Sequence, residues 1–339
     1  MKKLVFTGGH HTSALEVAIA LQKEDWQIIW FGHRHSLWGD SSDSAEYREV
    51  TAAGFKFCNL YAGKFYRTYN PLKLILIPVG FLQSLLLLLL HRPDGIVSFG
   101  GYLAVPTVIS GWLLGIPSIT HEQTVVAGLA NKLISYFVKK IAVSWPESIR
   151  YYPKDKTIVT GLPIRPEIIT ASKSQTRNLI YITGGKNGSH VINKAVFSAL
   201  PKLLKKYQVI HQTGFRDIKI ARSIKHANYE TFDYDSAKAI NSIKEAAVVI
   251  SRAGAHITYE LGVLSKRCVL IPIPWVSHNE QLKNAQALSS QAIILPQNLL
   301  SPSTLVSSIK SALALHPVPL NLPLDGTKNL LQLIKEQFT

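Results

Sequence analysis

The sequence predicts two α/β domains in tandem, each built on a parallel sheet, and three observations carry this. An apolar run, Leu4-Val5-Phe6, leads into Thr7-Gly8-Gly9, and Ala14, Leu15, Ala18 and Leu21 then recur at helical spacing. The same order returns half a chain later in LIYITGGKNGSHVINKAVF, residues 179–197, with Val191, Ile192, Ala195 and Val196 on the helical stripe. Finally, 339 residues exceed one ordinary core and fit two domains of typical size.

The opening element is a short buried strand. Gly8-Gly9 lets the backbone turn sharply and approach a neighbour, because glycine has no Cβ and tolerates positive φ. MKK before LVF imitates a signal peptide, but GGHH breaks the apolar run too early, so a cytosolic first strand is expected. GIVSF (95–99), PSIT (117–120), KIAVS (140–144) and TIVTG (157–161) read as further strands of the first domain. Residues 162–177, LPIRPEIITASKSQTR, are polar and proline-interrupted and read as a linker. The domains are therefore expected at 1–161 and 178–339, with the last helix packing back on the first domain. In the second domain QVIHQ (208–212), AVVIS (247–251), RCVLIPI (267–273) and AIILP (292–296) read as strands. Helical patterns lie between most of them, which argues for parallel sheets.

Polar residues gather after these strands. Gly100-Gly101-Tyr102 follows the second strand of the first half, and His121-Glu122-Gln123 follows the third. In the second half come HQTG (211–214), Ser251-Arg252-Ala253-Gly254-Ala255 with Glu260, and His278-Asn279-Glu280-Gln281. Open parallel sheets bind ligands outside the carboxyl ends of their strands, and helix N-termini there attract phosphate. An active cleft between the two domains is the reading these loops favour.

Composition narrows the partners. The net charge is +16, with +5 over residues 1–160 and +11 over 161–339, which suits an anionic partner such as a bilayer or phosphorylated substrates. Two distant cysteines, Cys58 and Cys268, match no zinc spacing, and neither a disulfide nor a structural metal is expected. Leu72 to Leu90, LKLILIPVGFLQSLLLLLL, nearly reaches the length of a spanning helix. Pro78 and Gly80 interrupt it, and its place between elements of one α/β domain opposes spanning. Residues 50–93 carry Lys56, Lys64, Arg67, Lys73 and Arg92 but no acid. This basic rim predicts a peripheral, lipid-facing surface that includes Phe65, Tyr66, Leu74, Ile75 and Phe81.

The motifs TGGH (7–10), FGGYLAVP (99–106), HEQTVVAGLANK (121–132), GLPIR (161–165), TGGKNGSHVIN (183–193), HQTG (211–214), SRAGAHITYE (251–260) and NEQLKNA (279–285) together resemble the MurG family of glycosyltransferases. The resemblance runs nearly end to end. It implies the GT-B fold, two Rossmann-like domains whose sheets face a deep interdomain cleft. It implies an inverting transfer of N-acetylglucosamine from a UDP-sugar to undecaprenyl-diphosphoryl-N-acetylmuramoyl-pentapeptide on the cytoplasmic face of the plasma membrane, without metal or cofactor. By the same resemblance His10 is the catalytic histidine, and Thr7, Thr124, Arg165, Lys186, Gly254, Ala255, Glu260 and Gln281 contact the donor. Gly8, Gly9, Gly100, Gly101, Tyr102, Gly184 and Gly185 would face the acceptor diphosphate.

The chain departs from the family pattern at several positions. Val5-Phe6 stand where the first loop has a glycine pair, Thr124 where an asparagine follows HEQ, and Lys186-Asn187 where Ser-Gln follow the second glycine pair. Glu280 precedes Gln281 where members often carry Gln or His. A second UDP-sugar or polyprenyl-linked acceptor therefore stays open, as does a catalytically silent membrane scaffold. No basic–aromatic stacking platform supports a nucleic-acid binder, and the NAD fingerprint is absent.

Overall fold

Leu4, Val5 and Phe6 are wholly buried in β1 (Lys3–Thr7), the strand from which the first sheet grows in both directions. The computed structural model describes residues 1–35, 43–63, 71–169, 176–276 and 279–339, with backbone alone for 71–75 and 176–177. The chain divides into two compact units, Met1–Ile164 with Pro323–Thr339, and Arg165–Leu322. The first division falls inside the polar stretch at 162–177.

Unit 1 carries a seven-stranded parallel sheet in the order β3 (Lys56–Asn59), β2 (Gln27–Gly32), β1, β4 (Gly95–Ser98), β5 (Ser118–Glu122), β6 (Lys140–Val143), β7 (Thr157–Val159). Strand order reverses between β1 and β4, and Thr7 aligns there with Ser98. One face is covered by α1 (His11–Gln22) and by α13 (Gly326–Phe338), whose Leu330, Leu333, Ile334 and Phe338 pack with Leu4, Phe6 and Leu21. The end of the chain thus completes unit 1. The other face carries α3 (Pro71–His91), α4 (Ala104–Leu113) and α5 (Leu129–Ile134) around Val5, Leu88, Val108 and Ile134.

Unit 2 repeats the plan with β10 (Tyr229–Phe232), β9 (Gln208–Gln212), β8 (Thr176–Thr183), β11 (Ala246–Ser251), β12 (Cys268–Leu270) and β13 (Ala292–Ile294), all parallel. Its reversal lies between β8 and β11. Ile180, Ile182, Val248 and Ile250 pack against α7 (His190–Leu203) and α12 (Pro302–Leu313) on one face.

Four local readings are corrected. The strands β2, β3 and β10 were not anticipated. His121 and Glu122 lie within β5 rather than after it. The strand expected at 267–273 ends at Leu270, because Pro272 and Pro274 have no N–H to give a ladder. Pro78 and Gly80 do not interrupt the leucine-rich segment, which is one helix from Pro71 to His91. Gly80 is needed there for contact, since a Cβ on it would stand 2.6 Å from the Tyr61 carbonyl oxygen. Among the described residues no helix is long and apolar enough to cross a membrane.

Candidate active site

In unit 1 the sequence-predicted residues gather at the carboxyl ends of β1, β4 and β5. Gly8 has φ +133°, and a Cβ there would meet the Gly100 carbonyl oxygen at 2.7 Å. Gly9 N–H donates to that same oxygen at 3.0 Å. Gly100 and Gly101 also have positive φ, and a Cβ on Gly101 would approach Gly9 N at 3.1 Å. Only glycine lets these two turns lie backbone to backbone. The arrangement brings Gly8, Gly9, His10, Gly100, Gly101 and Tyr102 into one loop pair. The Tyr102 ring lies 5.8 Å from the His33 ring, and burial pushes its hydroxyl up to about 12.

His10 N-caps α1 through its backbone and is partly buried. Burial lowers its pKa below the ordinary value, the Glu122 charge opposes that shift, and His11 adds to it. The imidazole is therefore largely neutral near pH 7, the form a general base requires. His11 instead places Nε2 3.2 Å from Glu49 Oε2. Thr7 Oγ1 is buried with no hydrogen-bond partner among the described residues, and His121 Nδ1 is the same. Burial lowers His121 to about 4, although the Gly161 carbonyl and Glu122 pull it upward.

Glu122 turns inward. Its Oε1 accepts from Thr124 N–H (3.0 Å) and Thr124 Oγ1 (2.7 Å). Its Oε2 accepts from Gly128 N–H (2.9 Å), Asn131 Nδ2 (3.0 Å) and the Tyr152 hydroxyl (2.9 Å). This buried carboxylate ties the loop between β5 and α5, and Thr124 is engaged in that tie rather than projecting from it.

In unit 2 the predicted residues form two neighbouring groups. Arg165 Nη2 lies 3.0 Å from Glu260 Oε1 in an ion pair, and Arg165 Nη1 donates to Ser236 Oγ at 2.9 Å. The Glu260 side chain is only 4% exposed, so this ion pair is largely withdrawn from water. Gly254 N-caps α10 (Ala255–Val263), and Ala255 opens it. Gln281 Oε1 accepts from Ile273 N–H at 3.0 Å, while Asn284 Nδ2 donates to Ala253 O at 3.2 Å, so α11 (Glu280–Ala287) is tied to the start of α10. His278 lies outside the described residues.

The second group is the turn at Gly184-Gly185. Gly185 N–H donates to Thr183 Oγ1, and Gly185 O accepts from Gln212 Nε2 at 2.9 Å. Tyr181 hydroxyl in turn holds Gln212 Oε1 at 2.7 Å. A Cβ on Gly188 would stand 1.9 Å from Thr213 O, and one on Gly214 2.3 Å from Asn187 O, so this turn and HQTG are interlocked. The Lys186 ammonium lies over the Tyr234 ring at 5.9 Å. Sequence reasoning missed two polar features here. Buried Arg252 donates to Ile271 O and Ser189 Oγ, and His190 meets Asp217. Arg252 and His190 lie within motifs already singled out and Asp217 outside them, and neither pairing is visible in spacing.

A separate feature of unit 1 is an apolar surface. Val79, Leu82, Leu86, Leu89 and Leu90 are exposed on α3, Trp112 and Leu113 on α4, and Leu129, Leu133 and Tyr136 on or just after α5. The three helices are neighbours in that order. Phe81 is partly buried, Phe65 and Tyr66 lie outside the described residues, and Leu74 and Ile75 fall where only backbone is described.

Residues 6–143 match the glycosyltransferase family 28 N-terminal domain, and residues 179–320 match its C-terminal domain. A Bacillus cereus protein named UDP-N-acetylglucosamine--N-acetylmuramyl-(pentapeptide) pyrophosphoryl-undecaprenol N-acetylglucosamine transferase 2 is 34% identical over 86% of this chain and 85% of its own. A Clostridium botulinum protein of the same name, without the numeral, is 30% identical over 99% of each chain. The crystal structure of Acinetobacter baumannii MurG superposes with a TM-score of 0.73, at 23% identity, over 99% of this chain and all of that one.

Proposed function

The chain belongs to glycosyltransferase family 28, in its MurG branch, and from that premise we propose that it moves N-acetylglucosamine from UDP-N-acetylglucosamine to undecaprenyl-diphosphate-linked N-acetylmuramoyl-pentapeptide. The observation that carries this reading is the match of both family domains, together with relatives 30–34% identical over most of the chain.

In this reading unit 2 binds the donor. Glu260, paired with Arg165, accepts hydrogen bonds from the ribose hydroxyls. The start of α10 at Gly254-Ala255 gives the diphosphate backbone N–H groups and a positive dipole end, and Gln281 reaches the sugar. Lys186 adds a compact cation. Thr124, whose hydroxyl is engaged within its own loop, takes no substrate contact in this reading. The paired turns at Gly8-Gly9 and Gly100-Gly101, with Tyr102, bind the acceptor diphosphate, as do Gly184 and Gly185. His10 takes the proton of the attacking acceptor hydroxyl as the glycosidic bond forms and UDP leaves. Its lowered pKa keeps the lone pair available.

The acceptor cannot leave the bilayer, so the enzyme must come to it. The apolar faces of α3, α4 and α5, with Arg92, Lys132, Lys139 and Lys140 near them in sequence, fit peripheral docking on an anionic leaflet at the cytoplasmic face.

A donor competition tests the reading. The full chain is given a lipid-diphosphate muramoyl-pentapeptide analogue and an equal mixture of UDP-N-acetylglucosamine, UDP-N-acetylgalactosamine and UDP-glucose. The product mass should show one added N-acetylhexosamine, with the N-acetylglucosamine epimer dominant on digestion. A hexose product, or a galacto-configured one, would overturn the sugar assignment.

A further inference from the structure

Gly185 follows β8 with φ +87°, and a Cβ added there would stand in open space. The neighbouring glycines are packed instead. A Cβ on Gly184 would meet Ser189 N at 2.2 Å, and one on Gly188 would meet Thr213 O at 1.9 Å. The turn therefore has a closed inner side and an open outer side. Glycine is the residue whose backbone reorients most freely, so neighbouring groups must decide which way the Gly185 carbonyl points.

Those groups come from β8 and β9. Gly185 N–H donates to Thr183 Oγ1 at 3.0 Å. Gly185 O accepts from Gly188 N–H at 2.9 Å and from Gln212 Nε2 at 2.9 Å, which occupies both of its lone pairs. A backbone carbonyl only accepts, so the Gln212 amide must turn its NH2 to Gly185, and Oε1 is left facing Tyr181. The Tyr181 hydroxyl donates to that oxygen at 2.7 Å. Tyr181, Thr183 and Gln212 are all buried, and the strand register sets Thr183 beside Gln212. Burial raises the Tyr181 phenol, so it keeps its proton and stays a donor.

A carbonyl oxygen carries partial negative charge. Turned to the open side it would repel a phosphate brought there, and turned inward it does not. A buried amide that loses its hydroxyl donor is free to rotate, and its hold on the carbonyl goes with it. We propose that Tyr181 and Gln212 are positioning residues of the transferase: Tyr181 orients the Gln212 amide, which holds the Gly185 carbonyl inward and keeps the Gly184-Gly185 turn fit to receive a substrate diphosphate. This rests on the transferase reading, in which acceptor and donor both carry a diphosphate, and the experiment's arms separate them.

Tyr181→Phe removes the hydroxyl, and Gln212→Met keeps the length of the side chain without its amide. Each variant and the double variant is assayed as the full chain, folded by circular dichroism. Transfer to the lipid-diphosphate muramoyl-pentapeptide analogue gives kcat and KM, and titration calorimetry gives dissociation constants for UDP and uridine. With the acceptor at the turn, each single variant raises the acceptor KM about three- to tenfold, the worth of about one hydrogen bond. Turnover then stays within about twofold, and UDP and uridine bind as before. With the donor at the turn, UDP weakens by that factor while uridine affinity and the acceptor KM hold. In either case the double variant loses no more than Gln212→Met alone, because Tyr181 acts through the amide. Changes within about twofold in both arms overturn the proposal, as does a fall in kcat alone or a set of losses that multiply in the double variant. An equal loss for uridine and UDP overturns it too, since that marks a structural role. Should Gln212→Met not fold, Tyr181→Phe decides by the same KM, kcat and uridine readings. Wild-type chain that binds no UDP and transfers no sugar would refute the transferase reading itself, an outcome distinct from all of these.

Discussion

Replacing Glu122 by Gln should destabilise unit 1 and shift the pH dependence of catalysis together. The carboxylate accepts five hydrogen bonds in a buried position, two on Oε1 and three on Oε2. An amide oxygen placed at Oε2 preserves the bonds from Gly128, Asn131 and Tyr152, though as neutral ones. The amide NH2 then faces the Thr124 N–H, leaving that donor unmet at a cost of about 1–3 kcal/mol. Weakening three charge-assisted bonds adds about 1 kcal/mol or more, so the total is about 3 kcal/mol. For a unit of this size that lowers Tm by about 6–12 °C. Removing the Glu122 charge also removes the influence that raises His10, so the acid limb of kcat/KM should move further down. Differential scanning calorimetry and a pH–rate series read the two effects. A Tm within about 2 °C of wild type would refute the accounting of these five bonds.

Three further outcomes are expected. Wild-type kcat/KM should fall on the acid side with an apparent pKa below 6.5, because protonation of a base whose pKa is lowered removes activity only there; a limb centred above 6.5 rules out His10. Acid should weaken unit 2. His211, lowered by burial to about 3, binds its proton only in the unfolded chain between about pH 6.5 and 3, so folding loses about 2 kcal/mol by pH 5. Hydrogen exchange at pH 7 and 5, corrected for intrinsic rates, reads this unit, and undiminished protection there at pH 5 would contradict the assignment. Leu86→Ser with Leu90→Ser on α3 should reduce flotation with anionic vesicles, as about 2 kcal/mol of apolar burial is lost per leucine. Undiminished flotation would move the docking surface elsewhere.

Much of this was legible because glycine constrains what its neighbours do. Gly8, Gly184, Gly188 and Gly214 are glycines at backbone contacts no Cβ permits, so the turns at sheet edges could be read from sequence and the binding loops with them. The parallel sheets followed from short apolar runs set between helical patterns. The strands β2, β3 and β10 were harder: QIIWFG begins polar although Ile28 to Gly32 are buried, KFCN is only partly buried, and YETF lies on the sheet edge. Side-chain pairing was least accessible. Glu122 looked like a residue of the active edge and instead folds inward on five donors. Nothing in the spacing of His190 and Asp217 announces that they meet across 27 positions. The leucine-rich helix ran through Pro78 because the local break was overridden by packing of Gly80 and Leu88 on the unit.

The central claim is an inverting transfer to a lipid-linked acceptor, and the stereochemistry of the product tests it most directly. The full chain is incubated with the α-linked donor UDP-N-acetylglucosamine and the lipid-diphosphate muramoyl-pentapeptide analogue, and the disaccharide is examined by proton NMR while UDP is counted. The account predicts a β-linked N-acetylglucosamine on the muramoyl sugar with one UDP released per linkage formed. An α-linked product, or UDP released without any disaccharide, would contradict it.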